Sequence, residues 1–158
     1  TFPGTYCAAE GDAEALEVLR PAFEQIGARL FDIEPALKPV YHSGGVLACN
    51  YLVALIEAAV RAHEKAGIPR AASLRALEPM VRETVDAIFK QGPERALTGP
   101  ISRGDVATVK RLLSAVEDWD PGTAALYRGL GLIAVDLARR DGRLDAPRAA
   151  ELLSLFKS

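Results

Sequence analysis

The sequence lacks the features that mark metal-binding, disulfide-stabilised or nucleic-acid-binding proteins. Among 158 residues there are only two cysteines and two histidines, with no Cys-x-x-Cys pair. Neither a zinc site nor a disulfide scaffold is therefore indicated, and no metal is expected. The 19 basic residues balance 21 acidic ones and form no cluster. Nucleic acid and anionic membranes are consequently disfavoured as partners.

Signals for secretion or membrane insertion are also scarce. No segment resembles a signal peptide, and the longest apolar run, Val46 to Val60, is broken by Asn50 and Glu57. We expect this run to fall short of the roughly 20 residues that cross a bilayer. With 49% hydrophobic and 25% charged residues, the chain has the composition of a soluble globular domain. We predict a cytoplasmic protein with two buried, reduced thiols.

The glycine fingerprint of dinucleotide-binding proteins is missing as well. A Gly-x-Gly-x-x-Gly turn between a strand and a helix holds the pyrophosphate of a nicotinamide cofactor. No such turn occurs, and the segment GLGLIA at 129–134 lacks both the third glycine and the preceding strand. The chain by itself is therefore expected to lack the phosphate-binding turn of a nicotinamide enzyme.

The first 35 residues read as strand, helix and strand. Residues 3–11 and 28–35 carry strand patterns, and Asp12 is placed to cap the helix between them, which ends near Gly27. This is one β-α-β unit. Two parallel strands alone would leave both edges and both faces open. We therefore expect a fragment of a larger sheet, whose other strands precede Thr1 or come from another copy of the chain.

Beyond residue 36 the sequence carries only helical patterns. Five helices are predicted, and the longest runs from about Leu37 to about Ala66. The predicted fold is therefore mainly α, a helical bundle preceded by a short β-α-β segment.

The long helix carries two polar side chains of interest, His42 and Asn50. Asn50 stands in an apolar stretch, and an unpaired buried amide costs a few kcal/mol, so we expect it to have a protein, subunit or ligand partner. In a regular helix these positions are separated by about 12 Å and about 80°. The two side chains would then flank a small molecule, or have unrelated roles, with His42 a structural histidine. The other histidine, His63, is expected to be solvated.

Lysine and arginine side chains offer candidate anion contacts. Lys38 lies one turn before His42 and could attract a carboxylate, or simply be a solvated helix end. In the loop at 98–105, TGPISRGD, Arg103 could hold an anionic group through its planar guanidinium. Ser102, with Asp105 three residues later, resembles a capping box for the next helix.

Two segments in combination resemble a known family. YHSGGVLACNYLVAL at 41–55 and ALTGPISRGDVATVKRLL at 96–113 are similar to the C-terminal half of Rossmann-like proteins in which a helical domain of unknown function follows a dinucleotide-binding domain. That group is related to ketopantoate reductases, coenzyme F420-dependent NADP oxidoreductases and the 6-phosphogluconate dehydrogenase superfamily. The resemblance implies a β-α-β tail of a Rossmann-like domain at 1–35 and an α-helical C-terminal domain at 36–158.

The resemblance also implies functional roles. In ketopantoate reductases a lysine, an asparagine four residues on and a second asparagine eight residues on lie in the first long helix. His42, Val46 and Asn50 occupy these positions. Asn50 would then bind a substrate hydroxyl or carbonyl, and His42 would be the general acid as hydride arrives. Related enzymes place substrate-facing residues in a loop comparable to that of Thr98 and Arg103.

These roles describe the substrate-side domain of a homodimeric oxidoreductase. NADP would be bound by the missing N-terminal domain, and a small carbonyl or hydroxy compound would be the substrate. The alternative is a helical dimerisation or ligand-binding module without catalysis. In that case Val53, Ile56 and Val60 would form a symmetric interface, with Asn50 paired to its counterpart.

Overall fold

Two short parallel strands and one helix open the computed structural model, which describes residues 2–157. Strand β1, Tyr6–Ala9, pairs with β2, Arg29–Asp32, and helix α1, Ala13–Gln25, connects them. Asp12 caps α1, because its side chain accepts hydrogen bonds from the backbone N–H groups of the first turn. The predicted β-α-β unit is confirmed. Within the described residues its sheet has no third strand.

A long helical segment follows, with one irregular turn that was not predicted. It consists of a 3₁₀ turn, Pro35–Leu37, helix α2, Lys38–Gly45, a π-helical turn, Val46–Asn50, and helix α3, Tyr51–Lys65. In the π turn the backbone N–H of Tyr51 donates to the carbonyl oxygen of Val46, five residues earlier. The turn therefore holds one residue more than an α-helical turn.

Five further helices complete the chain. They are α4, Arg70–Gln91, α5, Pro93–Ala96, α6, Val106–Trp119, α7, Pro121–Arg140, and α8, Ala146–Lys157. Only the short α5 was not predicted. Helices α6, α7 and α8 enclose an apolar core that includes Val109, Leu113, Val135, Leu152 and Phe156. The mainly α fold with a small leading sheet is thus confirmed.

The chain divides into two compact units between Ala59 and Val60. The first unit contains the β-α-β segment, α2, the π turn and most of α3. Among residues 2–59, Ala28 is the only buried apolar residue. This agrees with the expectation that the small sheet is not covered by its own chain. The second unit contains the core of α6, α7 and α8. The predicted domain boundary between residues 35 and 36 stays a prediction.

Helix α8 packs closely against α7 at a glycine. A methyl group added to Gly131 would lie 2.6 Å from Cζ of Phe156, whose ring is buried. Gly129, on the same helix, is exposed and would meet nothing within 4 Å. Gly131 is therefore required by packing, whereas Gly129 is not.

We expect Gly131→Ala to lower the free energy of unfolding by about 1–3 kcal/mol, because overpacking outweighs the better helix propensity of alanine. Gly129→Ala is the matched control, and it should raise the same quantity by up to about 1 kcal/mol. Urea unfolding followed by circular dichroism measures both. Equal effects of the two substitutions would contradict the proposed packing.

Aspartates cap α6 and α7. Asp105 accepts a hydrogen bond from the backbone N–H of Thr108 at 3.0 Å, and Asp120 accepts those of Gly122 and Thr123 at 2.9 and 3.3 Å. The backbone N–H of Thr108 is the largest cause that holds the pKa of Asp105 below its usual 3.8, and that of Thr123 does the same for the pKa of Asp120.

These lowered pKa values predict a loss of stability in acid. The ionised caps stabilise the fold above the usual aspartate pKa, and this contribution disappears as the pH falls through the lowered folded-state values. A double variant, Asp105→Asn with Asp120→Asn, keeps capping acceptors but should lose less stability between about pH 5 and about pH 2.5. Urea unfolding across that range is the measurement. Parallel curves for variant and wild type would contradict the prediction.

Candidate active site at the carboxyl ends of the strands

A cavity of about 490 Å³ lies in the first unit. The ends of both strands contribute to it, with Ala9 at the end of β1, Glu10 directly after it and Ile33 after β2. Lys38 and His42 line it from α2. Its remaining wall is mostly apolar and comes from α1, both strands and α2. In open parallel sheets ligands bind outside the carboxyl ends of the strands. The cavity therefore has both the position and the size of a small-molecule site.

The imidazole of His42 lines this cavity. Its side chain is exposed and makes no hydrogen bond within the described part of the chain. Lys38 lies four residues earlier, on the same face of α2. Both side chains line the same cavity, and their predicted roles in a site stay predictions. An imidazole in this position is free to exchange a proton with a bound molecule.

Lys38 is not a free cation. Its ammonium donates to a carboxylate oxygen of Glu10. The lysine side chain is 62% exposed, whereas that of Glu10 is only 22% exposed. Sequence reasoning missed Glu10, although a carboxylate directly after a strand is placed where parallel sheets bind ligands. An external carboxylate would have to compete with Glu10 for Lys38.

Asn50 is exposed, and the expectation that its amide is buried was wrong. Its side chain makes no hydrogen bond to any described residue. The apolar neighbours that suggested burial are themselves exposed, with Leu47 at 60% and Val53 at 72%. The partner that we expected for this amide is therefore not supplied by the residues described.

The π turn changes the angle between Asn50 and His42. Because the turn holds an extra residue, the eight-residue step corresponds to about seven α-helical steps, and the rotation falls from about 80° to about 20°. The axial separation falls to about 10 Å. We infer that the two side chains point in similar directions along the helix. Asn50 itself does not line the cavity.

Thr98 and Arg103 lie in the second unit, and both are exposed. The loop between them is built differently from the predicted capping box. Asp105 itself caps α6, while the buried Ser102 donates to the carbonyl oxygen of Gly99 at 2.9 Å. Ser102 thus closes the loop. The predicted substrate-binding roles of Thr98 and Arg103 stay predictions.

Two arginines that sequence reasoning missed support this loop. Arg143 donates to the carbonyl oxygen of Leu97 at 2.7 Å and to that of Glu94. Arg148, on α8, lies so close to Gly104 that an added methyl group would meet its Cδ at 2.9 Å. Neither contact has a local sequence signal, because both arginines are remote in sequence from the loop.

The other candidate groups also differ from expectation. His63 is partly buried rather than solvated, and its Nδ1 lies 2.9 Å from the hydroxyl oxygen of the buried Ser73. Cys7 is partly buried, but Cys49 is exposed, so the prediction of two buried thiols was wrong. Among the described residues no group of three or more His, Cys, Asp or Glu is placed to hold a metal ion.

The helical segment Pro35–Lys65 has the predicted extent, and it is apolar over most of its length. By length and composition alone it meets the requirement for crossing a membrane, so the expectation that it is too short was wrong. Apolar core helices of soluble proteins meet the same requirement. Only 6% of its most apolar window is buried. The segment therefore presents apolar surface that its own chain leaves open.

The model of one protein family matches residues 5–133, and its description is "Domain of unknown function (DUF2520)". The match covers most of the sequence, including the strands, the cavity and the loop at 98–105. The chain belongs to the DUF2520 family. Comparison with curated proteins finds no match to this DUF2520 chain.

A solved structure has a similar fold. It is described as "Crystal structure of putative NADP oxidoreductase BF3122 from Bacteroides fragilis", with a TM-score of 0.61 and 22% sequence identity. The match covers 84% of the DUF2520 chain and 48% of that chain. The DUF2520 chain thus spans about half the length of the structure that it matches. The likeness supports the expected resemblance to a helical domain that follows a Rossmann-like domain.

Proposed function

We propose that this DUF2520 chain is the substrate-side and dimerisation domain of a cytoplasmic NADP-dependent oxidoreductase that acts on a small carbonyl or hydroxy compound. The observation that carries the proposal is the cavity at the carboxyl ends of β1 and β2, with the free imidazole of His42 in its wall. The similarity in fold to a structure that is described as a putative NADP oxidoreductase supports it.

The described residues fit the substrate end of such a reaction rather than the cofactor phosphates. They contain no glycine fingerprint, so the phosphates would be held by a Rossmann-like domain joined to this chain. A bound NADP would provide the hydride chemistry of the reaction.

Within the cavity His42 would act as the general acid. In carbonyl reduction its imidazolium gives a proton to the substrate oxygen, and in alcohol oxidation the neutral ring takes that proton back. Asn50 lies about 10 Å further along the helix, so it would hydrogen-bond a second hydroxyl or carbonyl of the same molecule.

Substitution of His42 tests the catalytic role. In the protein that includes the Rossmann-like domain, His42→Ala should lower kcat by at least about 100-fold, because the general acid is lost. The dissociation constant for NADPH should stay the same, since the cofactor is held elsewhere. NADPH oxidation with a panel of small aldehydes and ketones measures kcat, and fluorescence titration measures cofactor binding.

The matched control is His63→Gln, which changes the other histidine and keeps a hydrogen-bonding group for Ser73. It should have wild-type kcat. If wild type neither binds NADPH nor oxidises it with any carbonyl in the panel, the oxidoreductase proposal fails.

The exposed helix favours a second candidate function, a dimerisation module without catalysis. Val53 is 72% exposed, and Leu47 and Tyr51, on other sides of the same helical segment, are 60% and 58% exposed. A matching face of a second copy would cover the face around Val53. Val60, which we had placed in this interface, is fully buried in its own chain and is not available. The interface would therefore centre nearer the π turn than the sequence indicated.

Substitution in this face tests the dimer. Val53→Glu should convert a dimer into monomers, because a charge would be buried in an apolar interface. Sedimentation equilibrium measures the mass. Phe89→Glu on α4, at a position that is 87% exposed, is the control and should leave the dimer intact.

Asn50→Leu separates the two functions. An unchanged dimer that has lost activity assigns Asn50 to the substrate site, whereas a changed assembly assigns it to the interface. A wild-type protein that is monomeric at all concentrations would contradict the dimer.

A further inference from the structure

The two cations that line the cavity, Lys38 and Arg20, are already paired with carboxylates. Glu10 accepts the hydrogen bond of Lys38, and Arg20, which also lines the cavity, donates to Asp32. The remaining groups in the wall that can titrate are Cys7, Tyr41 and His42. Each fixed cation in the wall therefore has its own carboxylate. Asp32 does not itself line the cavity, but the two cations and their two carboxylate partners together carry no net charge.

Glu10 is held in place more firmly than Lys38. It follows β1 directly, and its side chain is 22% exposed, against 62% for Lys38. A carboxylate removed from water to this extent needs a cation beside it. A ligand that took Lys38 away would leave Glu10 without its counter-charge.

A free carboxylate is a poor competitor for Lys38. Glu10 is tethered to the same chain, so its effective concentration at Lys38 is on the order of millimolar or more. An incoming carboxylate loses translational and rotational freedom on binding, which Glu10 does not, and it is also repelled by Glu10. An uncharged carbonyl, hydroxyl or amide group is not repelled by Glu10, and the imidazole of His42 offers it a hydrogen bond.

We propose that Glu10 determines specificity in this cavity: by neutralising Lys38 it selects an uncharged small carbonyl or hydroxy compound and excludes carboxylates. The inference rests on the proposed function in one respect, that the cavity is the substrate site. It replaces the expectation that Lys38 attracts a substrate carboxylate. Glu10 thereby becomes a binding residue of the site, and Lys38 its counter-ion.

Two probes of the same shape and different charge test the proposal. Isobutyramide is neutral and isobutyrate is anionic, and titration of the full chain followed by amide chemical shifts at residues 7–10 and 38–42 reports binding in the cavity. Wild type should bind isobutyramide, and it should bind isobutyrate at least about fivefold more weakly, as expected for one opposing charge near a protein surface.

Glu10→Gln should reverse this preference. The substitution keeps the shape of the side chain but frees the charge of Lys38, so isobutyrate should bind at least about fivefold more tightly than to wild type. Isobutyramide should bind as it does to wild type. Glu14→Gln, on the exposed first turn of α1, removes the same charge and should behave like wild type. Adding Lys38→Met to Glu10→Gln should abolish the gain.

The outcomes separate this inference from the proposed function. Wild type that binds isobutyrate as tightly as isobutyramide, or Glu10→Gln without a gain, would overturn the specificity role alone. If neither probe shifts signals around the cavity, the substrate site and the role of Glu10 fall together. The predicted preference, found in a protein without NADPH-dependent activity, would support the role of Glu10 and remove the oxidoreductase proposal.

Discussion

Parallel strands place their carboxyl ends at one edge of the sheet, and the candidate site depends on this constraint. Glu10 follows β1 and Ile33 follows β2, so both lie beside the same cavity. The chain then turns immediately into α2, which carries Lys38 and His42 over that edge. A site formed in this way needs few residues, because the topology of one β-α-β unit already gathers them.

Regular elements could be predicted from the sequence because their signals are local. Asp12 has a side chain that satisfies N–H groups two and three residues away, and the apolar spacing after it fixes the helix. The same holds for the long helix, whose ends were predicted to within a few residues. Its π turn could not be predicted, since the hydrogen bond from Tyr51 to Val46 has no pattern of side chains that distinguishes it from an α-helical turn.

The site was only partly predictable, for a related reason. His42 stood out as one of two histidines, but the partner of Lys38 lies 28 positions away, and such pairs appear only when the chain folds. Asn50 was misread as buried because apolar neighbours in sequence were taken to be neighbours in a core. In the structure those neighbours face outward. The loop at 98–105 shows the same limit, since Ser102 and Asp105 bond to different groups from those that a capping box would use.

The uncovered apolar surface and the site belong to the same helical segment. Residues from Leu47 to Leu55 are exposed in this chain. The polar groups that suit a ligand, Lys38 and His42, lie at the start of the segment. The π turn changes the angle around the helix between His42 and the residues that follow the turn. A second copy that covers the apolar face would leave His42 at the cavity. Dimerisation and substrate binding would then share one helix, and Asn50, which lies within the exposed stretch, is the residue that both roles would use.

The most direct measurement is a crystal structure of the protein with its Rossmann-like domain and bound NADPH. The account predicts that the nicotinamide ring lies at the mouth of the cavity beside β1 and β2, with His42 facing the space next to its C4 atom. A nicotinamide ring on another side of the molecule, or a cavity filled by side chains of the added domain, would contradict it.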